Sequence, residues 1–62
     1  MRAIKDCEFE VVIRKNGNRF YWFAESKFNF ICPSQESLTP IKAKANFIKF
    51  AELNGITKYK FL

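Results

Sequence analysis

Apolar and polar residues alternate through the first third of the chain. Across residues 8–14, Phe9, Val11 and Ile13 fall on one side of an extended backbone, and Glu10, Val12 and Arg14 on the other. Alternation of this period with β-branched residues predicts a strand. A second apolar run, residues 20–24, follows across Asn16-Gly17. Asn-Gly accommodates positive φ at both central positions of a type I′ turn, so the two runs are expected to form a hairpin with a two-residue loop. On that turn Lys15 faces Asn18, Arg14 faces Arg19, Ile13 faces Phe20, Val12 faces Tyr21, Val11 faces Trp22, and Phe9 faces Ala24. Opposed residues share a face. One face then reads Phe9, Val11, Ile13, Phe20, Trp22 and Ala24, and is the expected core with Trp22 at its centre. The other reads Glu10, Val12, Arg14, Arg19, Tyr21 and Phe23, which mixes charge with large apolar groups.

Polar turn formers in "ESKFNF" lead to a third short strand over residues 28–32, ended by Pro33, which has no ladder N–H to donate. Thr39-Pro40 is a helix start, with Thr as N-cap and Pro at the first helical position. Residues 40–54 carry an apolar stripe of Ala43, Phe47, Ile48 and Ala51, widened by Ile41 and Phe50, with Lys42, Asn46 and Lys49 opposite. Asn54-Gly55 is a stop signal with Gly in the left-handed region and Ile56 folding back as its apolar contact. In "TKYKFL" Tyr59 and Phe61 alternate with Lys58 and Lys60, which suits either a short fourth strand or an ordered tail. The expected fold is therefore α+β: one domain over 1–62, a three-stranded antiparallel sheet packed on one α-helix in the order β-β-β-α. The helix covers one sheet face through Ile41, Phe47, Ile48 and Ala51.

Composition sharpens the picture. A 62-residue chain is near the lower limit for folding alone, yet it carries eight Phe, two Tyr and one Trp. Either the core is unusually aromatic or some rings meet a partner. No apolar run approaches the roughly 20 residues of a membrane span, and "MRAIKDCEFE" has no apolar signal core, so a cytoplasmic protein without membrane contact is expected. Cys7 and Cys32, with no His, do not supply a four-ligand zinc site, and both read as thiols packed in or near the core. Without His the commonest general acid–base is missing, and a Cys nucleophile lacks its usual imidazole partner. Catalysis, a cofactor, a metal and a small-molecule substrate are accordingly not expected.

The segment "FEVVIRKNGNRFYW", a following apolar strand and "SLTPIKAKANFIKFAE" resemble one repeat of the YegP-like family. The matching positions are Phe9, Gly17, Tyr21, Trp22, Lys42 and Ala45, and the second turn, "KFNF", departs from the Asn-Gly usual there. The resemblance implies the same β-β-β-α unit and no defined activity. It also implies repeats that pack on one another, a burial that a single unit obtains by dimerising.

Two functional readings concern the face away from the helix. The first is a protein-interaction module, a homodimer or a binder of another protein, because Val12, Tyr21 and Phe23 put apolar surface on that face and aromatics are enriched in interface cores. The second is nucleic-acid binding. The formal charge is +5, and Arg14, Lys15 and Arg19 crowd the hairpin end. Arg14 opposed to Arg19 would be relieved by an anion, and Tyr and Phe beside basic groups suit stacked bases. The candidate partner-binding residues are thus Val12, Arg14, Lys15, Arg19, Tyr21 and Phe23, with the first reading ahead on its aromatics. A plainer alternative has Tyr59 and Phe61 of the tail lying over Tyr21 and Phe23 within one chain.

Overall fold

The computed structural model describes residues 7–27, 29–33 and 35–62. Four strands and one helix follow in the order β1 (Phe9–Asn16), β2 (Arg19–Glu25), β3 (Phe30–Ile31), α1 (Pro40–Asn54) and β4 (Tyr59–Phe61). They form a mixed sheet of spatial order β3-β2-β1-β4, covered on one face by α1. The α+β, β-β-β-α architecture is as the pattern predicts, and the tail is a strand, paired parallel to β1 at the sheet edge. The third strand is shorter than its pattern suggests, and Phe28, the residue expected to open it, lies outside the described residues.

The hairpin differs from the sequence reading in register. Val11 is opposite Ala24, Val12 opposite Phe23, Ile13 opposite Trp22, Arg14 opposite Tyr21, Lys15 opposite Phe20, and Asn16 opposite Arg19. The loop is therefore Gly17-Asn18 rather than Asn16-Gly17. Gly17 has φ 66°, and no non-glycine among the described residues has positive φ, Asn18 included. Positive φ at the first central position alone is the type II′ pattern, not type I′. The pairing slips by two residues from the expected one, and two is the strand period, so both faces keep their members. Arg14 and Arg19 are no longer opposed, which removes a like-charge pair from the ladder.

The core gathers Phe9, Val11, Trp22 and Ala24 from the hairpin, Phe47 and Ala51 from the helix, and Cys7 and Ile56 from the flanks. Thr39 Oγ1 caps the helix by accepting from the Lys42 N–H at 3.1 Å, and Pro40 occupies the first turn. At the other end Gly55 takes φ 70°, and the Ile56 N–H donates to the Ala51 carbonyl at 2.9 Å as Ile56 turns into the core. The helix presents Ala43, Phe47 and Ala51 to the sheet, with Phe50 beside Trp22 at 5.0 Å between ring centroids. Ile41 and Ile48 do not cover the sheet. Ile41 is 81% exposed and Ile48 36%. Each residue turns the helix by 100°, so seating Phe47 in the core carries Ile48 to the flank and Ile41 further round. Asn46, expected among the solvated residues, is half-buried and donates to Ser37 Oγ at 2.8 Å. Ser37 in turn pairs its backbone with Phe20 in both directions at 2.7 Å, which ties the loop before the helix to β2. Cys7 lies in the core, but Cys32 is exposed.

The turn gives a direct test. A Cβ on Gly17 would meet nothing within 4 Å, so any penalty there is conformational. Gly17→Ala is expected to cost about 1–2 kcal/mol in urea denaturation, and Asn18→Ala at most about 0.5 kcal/mol. Equal losses at the two positions would contradict the type II′ assignment.

Candidate functional site

Strand alternation and the observed pairing define the sheet face away from the helix row by row. Phe30, Glu25, Glu10 and Lys60 stand side by side across β3, β2, β1 and β4. The next row holds Phe23 and Val12, the next Tyr21 and Arg14, and the last Arg19 and Asn16 at the hairpin end. Leu62 extends β4 by donating its N–H to the Val11 carbonyl at 2.9 Å, and alternation from core-facing Phe61 puts it beside Val12. It is 71% exposed, as is Phe30 at 70%.

The centre of this face is aromatic and apolar. Phe23 stacks on Phe30 with centroids 5.9 Å apart and planes at 17°. The Arg14 guanidinium sits 4.8 Å from the Phe23 centroid, so one charge of the face is already held over a ring. Val12, Tyr21 and Phe23 are each half-buried. At the opposite end Glu10 and Glu25 are directly opposed, and Glu10 accepts an exposed ion pair from Lys60 at 3.6 Å.

The tail does not cover these rings. Tyr59 pairs with Phe9 and Phe61 with Val11, which puts both tail aromatics on the core side. There they meet Phe47, edge-on, at 4.9 Å and 5.7 Å. Covering of Tyr21 and Phe23 by Tyr59 and Phe61 is thereby overturned. Of the six residues singled out in the sequence, Val12, Arg14, Arg19, Tyr21 and Phe23 share the outer face. Lys15 does not. It stands opposite Phe20 on the helix side, with its ammonium 5.8 Å from that ring. Its parity with Ile13 already carried that signal. Glu25 belongs to the face by the same β2 alternation as Tyr21 and Phe23, and Phe30, Lys60 and Leu62 join it through the pairing of β3 and β4.

A groove of about 590 Å³ opens at the end of the sheet, where Glu8, Glu10 and Glu25 meet Lys27, Lys58 and Lys60. Its carboxylates and ammonium groups are equal in number. Among the described residues no group of three or more His, Cys, Asp or Glu side chains is placed to hold a metal ion. Among the described residues no helix is long and apolar enough to cross a membrane. Comparison with known proteins finds no matching family model, no matching curated protein and no matching solved structure. The YegP-like resemblance rests on short motifs alone and gains no support from these comparisons.

The two faces are expected to respond differently to truncation. Trp22 is 3% exposed against Phe47 and Phe50, so Trp22→Ala is expected to cost about 3–5 kcal/mol. Tyr21→Ser with Phe23→Ser removes half-exposed rings and is expected to leave a cooperative thermal transition. Loss of that transition in the double variant would mean the outer rings are core.

Proposed function

We propose that this domain is a non-catalytic protein-interaction module that self-associates through the sheet face away from its helix. The observation that supports the reading is the half-buried row of Val12 and Phe23, flanked by exposed Phe30 and Leu62, with the tail rings engaged on the opposite side. Leu38, Ile41 and Leu53 are exposed elsewhere, but an aromatic patch with a charged rim is the usual make-up of an interface. The rim consists of Arg14 and Arg19 at one end and Glu10 and Glu25 at the other.

Nucleic-acid binding draws on the same rings, but two of its supports are weaker here. Arg14 and Arg19 are not opposed, and Lys15 belongs to the other face. The two glutamates add negative charge where a phosphate backbone would have to lie. The face is four strands wide, roughly 15–20 Å across. Its four rows, about 7 Å apart, make it about 20 Å long, or roughly 300–400 Å², below the roughly 800 Å² per partner of a standard interface, so self-association in the micromolar range or weaker is expected.

Sedimentation equilibrium over a concentration series tests the reading, with and without a single-stranded oligonucleotide. The expected result is a concentration-dependent dimer that the oligonucleotide leaves unchanged and that Tyr21→Ser with Phe23→Ser abolishes. A wild-type monomer at every concentration, or a dimer that survives loss of both rings, would overturn it.

A further inference from the structure

The charges of the outer face are segregated along the strands, and the segregation selects one way for two copies to meet. Glu10 and Glu25 occupy one row with Phe30 and Lys60 at its ends, so that row carries two carboxylates against one ammonium and stays net negative. Four residues further along β1, about 13 Å, Arg14 occupies another row beside Tyr21, with Arg19 beyond it at the hairpin end. Val12 and Phe23 fill the row between. The arrangement is acid, apolar, base, read from one end of the hairpin to the other.

Two sheets that meet face to face about a twofold axis have two simple choices. With the axis parallel to the strands, rows keep their level and β1 crosses over β2 of the partner. Glu10 then meets the partner's Glu25, and four carboxylates are brought together with one salt-bridging Lys60 from each chain. With the axis across the strands, through the Val12–Phe23 row, strand directions oppose. The Glu10–Glu25 row of each copy then lies over the Arg14 row of the other, and the apolar rows coincide. A twofold interface is self-complementary by construction, and only the second choice makes this charge pattern complementary to itself. We propose that the chain pairs with a second copy in this second way: face to face, strands opposed, Glu10 of each copy against the partner's Arg14, and Phe23 and Val12 buried at the centre. Packed sheets of this kind lie about 10 Å apart and rotate by about 30°, which long Glu and Arg side chains span.

The proposal rests on self-association through the outer face, and charge exchange separates the two. One variant carries Glu10→Arg and Glu25→Arg, the other Arg14→Glu and Arg19→Glu. In the opposed arrangement each variant alone sets like charges against each other twice, while an equimolar mixture restores both pairs in a heterodimer. Sedimentation equilibrium is expected to show each variant associating at least tenfold more weakly than wild type, and the mixture returning to within about threefold of it. The arginine-to-glutamate variant is the decisive arm. It lowers the formal net charge from +5 to +1, so general repulsion between copies falls. Weaker association despite that fall localises the effect to facing pairs. Undiminished association of this variant, or no recovery in the mixture, would overturn the arrangement while leaving the face in place. Tighter association of Glu10→Arg alone would instead indicate the parallel axis. If wild type shows no association at all, self-association itself fails, and the arrangement with it.

Discussion

The ring of Phe47 holds the domain together and decides which surface stays open. It is fully buried, and three other rings meet it: Trp22 from β2 at 5.0 Å, Tyr59 at 4.9 Å and Phe61 at 5.7 Å from β4. Three edge-on contacts to one ring are a large share of the specific packing of so small a core. The helix fixes Phe47 over β1 and β2, and Phe47 then fixes the side of the sheet on which the tail places its aromatics. Parallel pairing of β4 with β1 follows from the same seating, since the helix carries the chain back along the sheet before β4 begins. Lys44 completes the edge by placing its ammonium 4.5 Å from the Phe61 centroid. With both tail rings drawn to the helix side, Tyr21 and Phe23 stay half-buried on the outer face, Phe23 between Phe30 and Arg14.

How much of this could be read from the chain depended on whether a feature was periodic or relational. Face membership in the hairpin is periodic, and it survived an error of two residues in the register. The register itself depends on which of two adjacent dipeptides, Asn16-Gly17 or Gly17-Asn18, forms the loop. Both are acceptable turn sequences. The structure takes the second, which separates Arg14 from Arg19 and needs positive φ only at a glycine. The helix caps were legible because Thr39-Pro40 and Asn54-Gly55 act locally. The buried side of the helix was not, because six apolar residues offered a stripe wider than the sheet accepts. Seating Phe47 and Phe50 excludes Ile41 and Ile48.

The candidate site divides along the same line. Val12, Arg14, Arg19, Tyr21 and Phe23 follow from alternation within one hairpin. Lys60 and Leu62 enter through β1–β4 pairing between segments far apart in sequence, and Phe30 through a turn after β2 whose register no clear signal marks. Phe30 adds a third ring to Tyr21 and Phe23 by stacking on Phe23. The charge pattern also changes meaning once the rows are known. What looked like a basic hairpin end is one pole of a face whose other pole is acidic, and a bipolar face suits a copy of itself better than a uniformly negative polymer.

The claim that the outer sheet face is where this chain meets a second copy is tested most directly by amide NMR spectra recorded across a dilution series. Concentration-dependent shifts are expected at Glu10, Val12, Arg14, Tyr21, Phe23 and Glu25, with Ala43, Phe47 and Ala51 unmoved. Shifts confined to the helix flank around Ile41 and Ile48, or spectra unchanged to the highest concentration reached, would contradict it.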